Sequence, residues 1–242
     1  MSTPQIAQGF ELPCIIYCHG LLGTKNEFDF LALPLKSEFQ FFSFNFDGHG
    51  ETKYIPEWSI TNFATQLANF IDHNNLKDYH IIGYSLGGYV AAYALLQKII
   101  FPAFVITINT KWEWPCEVVE VELKKLGYES IQLKAPKLIQ HWNAIHTNAN
   151  AKEMLARAQK FLIQMQDLQI ASISNATNNT IPIYITHGER DKFVTEQESQ
   201  KISHVIATTS YLTIPGMQHP LESIDKDFFL NFLREKLNPA ID

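Results

Sequence analysis

Arginine is scarce in this chain of 242 residues: only Arg157, Arg190 and Arg234 occur, and the net charge is −6. No lysine or arginine cluster is dense enough to track a phosphate backbone, so nucleic acid is not an expected partner. Cysteine is scarce too. Cys14, Cys18 and Cys116 are odd in number, which argues against a complete disulfide framework. Cys14 and Cys18 lie four apart in an expected strand, roughly 13 Å from each other, too far for a bridge. A reducing cytoplasm is the expected compartment. No apolar stretch approaches the roughly 18 residues of a membrane span, and Met1–Gln5 has no leader-like basic or apolar region, so neither a span nor a signal peptide is expected. Internal repeats and low-complexity tracts are also lacking.

The apolar content of 46% is ordinary for a globular protein, and the length suits one large domain or two small ones. Apolar runs with little alternation, at Pro13–Cys18, Gln40–Phe46, Tyr79–Gly83, Ala103–Asn109, Ile181–His187 and Thr209–Ile214, read as strands covered on both faces. Helical patterns fall between and after them, at Asn26–Glu38, Ile60–Asn74, Leu86–Lys98, Thr195–Ala207 and Leu221–Lys236. Alternation of this kind predicts an α/β fold with a mostly parallel sheet of about six strands and helices on both faces. The interval after residue 110 breaks the rhythm, being far longer than an ordinary βα connection. Amphipathic helices are expected at Val118–Leu126, Pro136–His146 and Ala151–Ser172, with a linker over Ser172–Thr180. The expected organisation is a core of residues 1–110 and 178–242, with a helical lid insertion at 111–177.

Gly83-Tyr84-Ser85-Leu86-Gly87 sits between the third strand and the helix after it. A Gly-x-Ser-x-Gly in that place is a nucleophile elbow: small neighbours allow a tight turn that lifts the Ser85 hydroxyl to the start of a helix, where negative charge is favoured. Four further loops follow strand ends. These are Cys18-His19-Gly20-Leu21-Leu22-Gly23, Asn45–Gly50, His187-Gly188-Glu189-Arg190-Asp191 and Pro215-Gly216-Met217-Gln218-His219.

Together these residues resemble the α/β-hydrolase superfamily, over residues 18 to 220. The matches are the His19-Gly20 turn, Gly48-His49-Gly50, the Gly83–Gly87 elbow, the His187-Gly188…Asp191 loop and Gly216…His219. The resemblance implies Ser85 as nucleophile, His219 as general base and acid, and Asp191 as the carboxylate that orients the imidazole. The Leu21 and Leu86 amides would form the oxyanion hole. Two departures stand out. Few residues precede the first strand, where members usually carry two more strands. Asn45 and Asp47 occupy the Asp and Pro positions of a common second-loop motif.

Each residue also has a plainer reading. Glu189 and Glu113 are alternative acids to Asp191, which could instead cap the following helix. His19, His49 and His187 read as loop supports, and His73, His80 and His204 as surface residues. His141 and His146 diverge around a helix and make a poor metal pair, so neither metal nor cofactor is expected. Trp112, Trp114, Trp142 and Phe161 either fill the lid core or line an acyl pocket. Tyr84, Trp112 and Trp142 are the candidate substrate-binding residues, with Tyr84 able to face pocket or sheet. The expected activity is hydrolysis of a small carboxylic ester or thioester, rising from acid toward neutral pH as the imidazole loses its proton. C–C bond cleavage or elimination of the menaquinone-synthesis type is the alternative chemistry, with Arg157 the one arginine considered as its substrate anchor. A non-catalytic small-ligand binder is the third reading. The expected partner is a small acyl substrate, and the expected state a monomer or weak homodimer.

Overall fold

A computed structural model describes residues 12–175, 178–206 and 208–237. Among the described residues six strands form one sheet: β1 (Cys14–Cys18), β2 (Gln40–Ser43), β3 (Tyr79–Tyr84), β4 (Val105–Ile108), β5 (Ile183–Gly188) and β6 (Thr209–Ile214). Their order is β2-β1-β3-β4-β5-β6 and every pairing is parallel. The chain reverses its direction of travel across the sheet between β1 and β3. In open parallel sheets that switch point opens a crevice beyond the carboxyl ends of the strands.

Helices cover both faces. A short α1 (Asp29–Ala32) is flanked by 3₁₀ turns at Lys25–Phe28 and Leu33–Leu35. One continuous helix was expected from 26 to 38. Pro34 explains the break, because it has no amide N–H to continue the helical ladder. α2 (Ile60–His73) buries Ile60, Phe63, Ala64, Leu67 and Ile71, a single stripe at helical spacing, and Ser59 caps it by accepting from the Asn62 amide at 3.2 Å. α3 (Leu86–Leu96) is buried almost all round, as suits a helix lying between the sheet and α2.

Between β4 and β5 lie α4 (Cys116–Lys125), α5 (Tyr128–Lys134), α6 (Pro136–Ile145), α7 (Ala151–Met165) and α8 (Ile170–Asn175). α7 starts at a capping box of Asn150 and Glu153, and its buried face is Ala151, Met154, Leu155, Ala158, Phe161, Leu162 and Met165. The sequence pattern joins α7 and α8, but the helix stops at Met165 and a turn intervenes. No glycine or proline marks the stop. α5 was not anticipated, and it buries no residue that would print a pattern on the sequence. The expected linker is helical from Ser172 to Asn175; residues 176 and 177 lie outside the described residues. α9 (Glu196–Val205) precedes β6, and Ala207 of its expected span is likewise outside the described residues. The final helix divides into a 3₁₀ turn at Leu221–Ser223 and α10 (Lys226–Leu237), because the Asp225 carboxylate caps a new start by accepting from the Phe228 amide at 3.0 Å.

Candidate active site

The loops singled out in the sequence meet at the carboxyl ends of β1, β3, β5 and β6. Ser85 follows β3 with φ 50° and ψ −113°, a backbone conformation that side-chain-bearing residues rarely adopt. Glycines make room for it. A Cβ on Gly83 would lie 2.4 Å from the Gly88 nitrogen, and one on Gly87 2.0 Å from the Cys18 carbonyl oxygen. The elbow is held from β4 as well: the Ser85 amide donates to the Ile108 carbonyl at 2.8 Å, and the Thr110 hydroxyl donates to the Ser85 carbonyl at 3.2 Å.

Ser85 Oγ lies 3.4 Å from His219 Nε2, and His219 Nδ1 lies 2.7 Å from Asp191 Oδ2. The other Asp191 oxygen accepts from the Phe193 and Val194 amides at 2.7 and 3.0 Å. Burial alone would push the Asp191 pKa up; the bond and charge of His219 and the two amides outweigh it and hold the carboxyl below its ordinary value. Asp191 thus remains an anion beside the ring it orients. The alternative acids lie elsewhere. Glu189 accepts from the Gly216 amide at 2.7 Å, and Glu113 pairs with Lys201 at the surface.

His219 is fixed through its backbone. The Tyr84 hydroxyl donates to the His219 carbonyl at 3.0 Å. Asn109, in the left-handed region at φ 48°, donates its amide to the Gln218 carbonyl at 2.7 Å and accepts from the Gly188 amide at 2.6 Å. Tyr84 therefore braces the imidazole loop from the sheet side and does not line the cavity, which corrects its placement as a substrate-binding residue. Asn109 was not singled out in the sequence, though an asparagine closing a strand just before a long insertion is a signal for such a turn.

Ser85 and His219 open into a cavity of about 400 Å³. Leu21, Leu22, Leu86, Trp142, Phe161 and Phe193 are among its apolar walls. Trp142 is therefore at the cavity. Trp112 is not: it is fully buried beside Tyr89, and its backbone amide donates to Glu198 at 2.6 Å. Lys111 and Lys125, which also reach the cavity, carry their own counter-ions, Glu198 at 2.5 Å and Glu122 at 2.6 Å. Arg157 is absent from the lining. Its guanidinium lies 3.9 Å from the centre of the Tyr54 ring.

The turn after β1 carries two polar supports, His19 and Glu27. His19 Nε2 accepts from the Phe46 amide at 3.0 Å, so its proton is on Nδ1 and is donated to the Gly20 carbonyl at 2.8 Å. Burial lowers the His19 pKa to about 4, keeping it neutral. Glu27 accepts from the Gly20 amide and the Tyr17 hydroxyl, both at 3.1 Å, while burial pushes its pKa up to about 7. Leu21 and Leu86 both border the cavity beside Ser85, and among the described residues neither backbone amide has a protein acceptor. His80, expected at the surface, is partly buried against Phe104 with ring centres 4.2 Å apart. Among the described residues no group of acidic, histidine and cysteine side chains has the arrangement of a metal site, and no helix is long and apolar enough to cross a membrane.

Residues 13–110 match the family described as alpha/beta hydrolase fold. Ethanol acetyltransferase 1 of Hanseniaspora uvarum is 32% identical over 99 residues, covering 40% of this chain and 30% of that protein. The 2-succinyl-6-hydroxy-2,4-cyclohexadiene-1-carboxylate synthase of Serratia proteamaculans (strain 568) is 30% identical over 94 residues, covering 38% of this chain and 36% of that protein. The match thus spans well under half the length of either curated relative. Among solved structures, an esterase from Exiguobacterium antarcticum superposes with a TM-score of 0.78 over 94% of this chain and 92% of its own, at 14% identity.

Proposed function

We propose, from a chain that belongs to the α/β-hydrolase superfamily, that it is a serine hydrolase acting on a carboxylic ester or thioester with an uncharged, apolar acyl group. The carrying observation is the relay from Ser85 Oγ through His219 to Asp191, with separations of 3.4 and 2.7 Å. The first distance is long for a formed hydrogen bond, as is common before substrate binds. In attack, Ser85 Oγ bonds to the acyl carbon and passes its proton to His219 Nε2. The carbonyl oxygen becomes an oxyanion facing the Leu21 and Leu86 amides. Collapse breaks the bond to the leaving group, which takes the proton from His219. Water then repeats the sequence on the acyl-enzyme and releases the acid.

The acyl preference follows from the cavity walls. They are mainly leucine and aromatic side chains, and each lysine that reaches them is already paired with a carboxylate. The helices between β4 and β5 supply Trp142, Phe161, Leu162 and Met165 and would act as the lid that keeps water from the acyl group. The unpaired Cys14, Cys18 and Cys116 fit the reducing cytoplasm expected from the sequence.

The synthase-like relative motivates a second reading, elimination or C–C chemistry with the same three residues. Its printed name specifies a carboxylate, and among the described residues no unpaired lysine or arginine borders the cavity to receive one. Ester hydrolysis is therefore preferred. The test is steady-state turnover of p-nitrophenyl esters of graded chain length by the wild type and Ser85→Ala. The expected result is turnover that peaks at a chain length set by the cavity and falls by several orders of magnitude in the variant. Undiminished turnover in the variant would remove Ser85 from the mechanism, and an inactive wild type would favour the second reading.

A further inference from the structure

The oxyanion turn is held on one side by a residue from outside the sheet domain. His146 closes α6, one turn beyond the cavity-lining Trp142. Its Nδ1 accepts from the Gly50 amide at 2.8 Å, so that nitrogen carries no proton. The proton is on Nε2, which donates to the Leu22 carbonyl at 3.0 Å. Burial lowers the His146 pKa, which suits a ring that must remain neutral to keep both bonds.

Leu22 is where such a hold is needed. Its φ is +63°, a left-handed conformation that a leucine keeps only when its surroundings impose it. The Gly20–Leu21 and Leu22–Gly23 peptide units are thus tied by two imidazoles of opposite tautomer. His19 grips the Gly20 carbonyl and His146 grips the Leu22 carbonyl. Each ring also accepts an amide from the loop after β2, at Phe46 and Gly50. His19 belongs to the turn itself, whereas His146 arrives with the inserted helices. The residues after His146 continue the same seam: the Thr147 amide donates to the Gly50 carbonyl at 3.0 Å, and the Asn148 side chain donates to the Glu51 and Thr52 carbonyls, each at 2.6 Å.

We infer that His146 is a positioning residue for the oxyanion turn, transmitting the seating of the inserted helices on loop 50–52 through the Leu22 carbonyl to the Leu21 amide. The inference rests on the serine-hydrolase reading for its catalytic consequence, while the hold on the turn is a property of the fold. It makes the oxyanion hole complete only when the insertion is docked.

Two near-isosteric variants separate the two bonds. In His146→Gln the side-chain amide nitrogen reaches the place of Nε2 and can still donate to Leu22, but the acceptor for Gly50 is lost. In His146→Asn the amide oxygen takes the place of Nδ1 and keeps Gly50, but the donor to Leu22 is lost. With p-nitrophenyl acetate, His146→Asn is expected to lower kcat by about tenfold or more with KM within about twofold, and His146→Gln to stay within about threefold of wild type. Hydrogen exchange should accelerate over residues 20–24 in the Asn variant and only over 50–52 in the Gln variant. Equal kcat in the two variants, or faster exchange at 50–52 alone in both, would overturn the inference. Ser85→Ala, run alongside, keeps the two failures apart. If the wild type shows no Ser85-dependent turnover, the hydrolase reading fails, and the exchange comparison still decides whether His146 holds the turn.

Discussion

Replacing Asp191 by asparagine probes the relay with minimal disturbance of the fold. Asp191 accepts three hydrogen bonds, from His219 Nδ1 and from the Phe193 and Val194 amides. An asparagine oxygen can keep the two amides, which leaves its NH₂ facing His219 Nδ1. Donor would then meet donor, so the ring must take the other tautomer, with Nδ1 accepting and the proton on Nε2. That proton would point at Ser85 Oγ, and the ring could no longer act as base. The expected loss in kcat is about 10⁴-fold, or roughly 5.5 kcal/mol of barrier at 1.36 kcal/mol per decade. The fold loses one charge-assisted bond, worth about 1.5–3 kcal/mol, so the variant should remain folded with a lower Tm. Asp191→Ala should be equally inactive but less stable, since it also strands the two buried amides. Turnover of p-nitrophenyl acetate alongside thermal unfolding measures both effects. An Asn variant within tenfold of wild type would refute the tautomer argument.

Gly87→Ala should destabilise the fold by about 3 kcal/mol or more, because its Cβ would lie 2.0 Å from the Cys18 carbonyl oxygen in a buried strand. Gly216→Ala is the control: φ is +67° but nothing lies within 4 Å of the new Cβ, so only backbone strain of about 1–2 kcal/mol is expected; equal losses in urea unfolding would contradict the steric account. Glu27 has its pKa raised from 4.5 to about 7, so the folded state favours the protonated carboxyl. Its stabilising effect is fully present below pH 4.5 and lost as pH rises through about 7. Between about pH 4.5 and 7 the wild type should lose stability at up to ~1.4 kcal/mol per pH unit from this group, a slope that Glu27→Gln removes; parallel unfolding curves for the two proteins would contradict the assignment.

The sheet and the positions of Ser85, Asp191 and His219 after its strands were legible for one reason. Strands buried on both faces print continuous apolar runs, and the turns after them need glycine where backbone passes backbone, as at Gly83 and Gly87. Ser85, Asp191 and His219 stand directly after β3, β5 and β6, so their order along the chain carried their placement. The cavity walls were less legible. Trp112 and Trp114 are two residues apart and chemically alike, yet only Trp114 borders the cavity, because the choice depends on how the segment after β4 passes over Tyr89. Tyr84 precedes Ser85 but alternates to the opposite face, where its hydroxyl meets the His219 backbone. Two supports of the turn after β1 were hidden for another reason. His146 and Glu27 act on Leu22 and Gly20 through backbone atoms, and a bond to a carbonyl or an amide leaves no trace in the identity of the partner residue.

The account depends most on Ser85 being an activated nucleophile, and an active-site-directed fluorophosphonate tests that directly. Intact-mass analysis after incubation should give a single adduct on the folded wild type, mapped to the peptide containing Ser85 and absent from Ser85→Ala and from heat-denatured protein. No adduct on the folded protein, or an adduct of equal yield on Ser85→Ala, would contradict it.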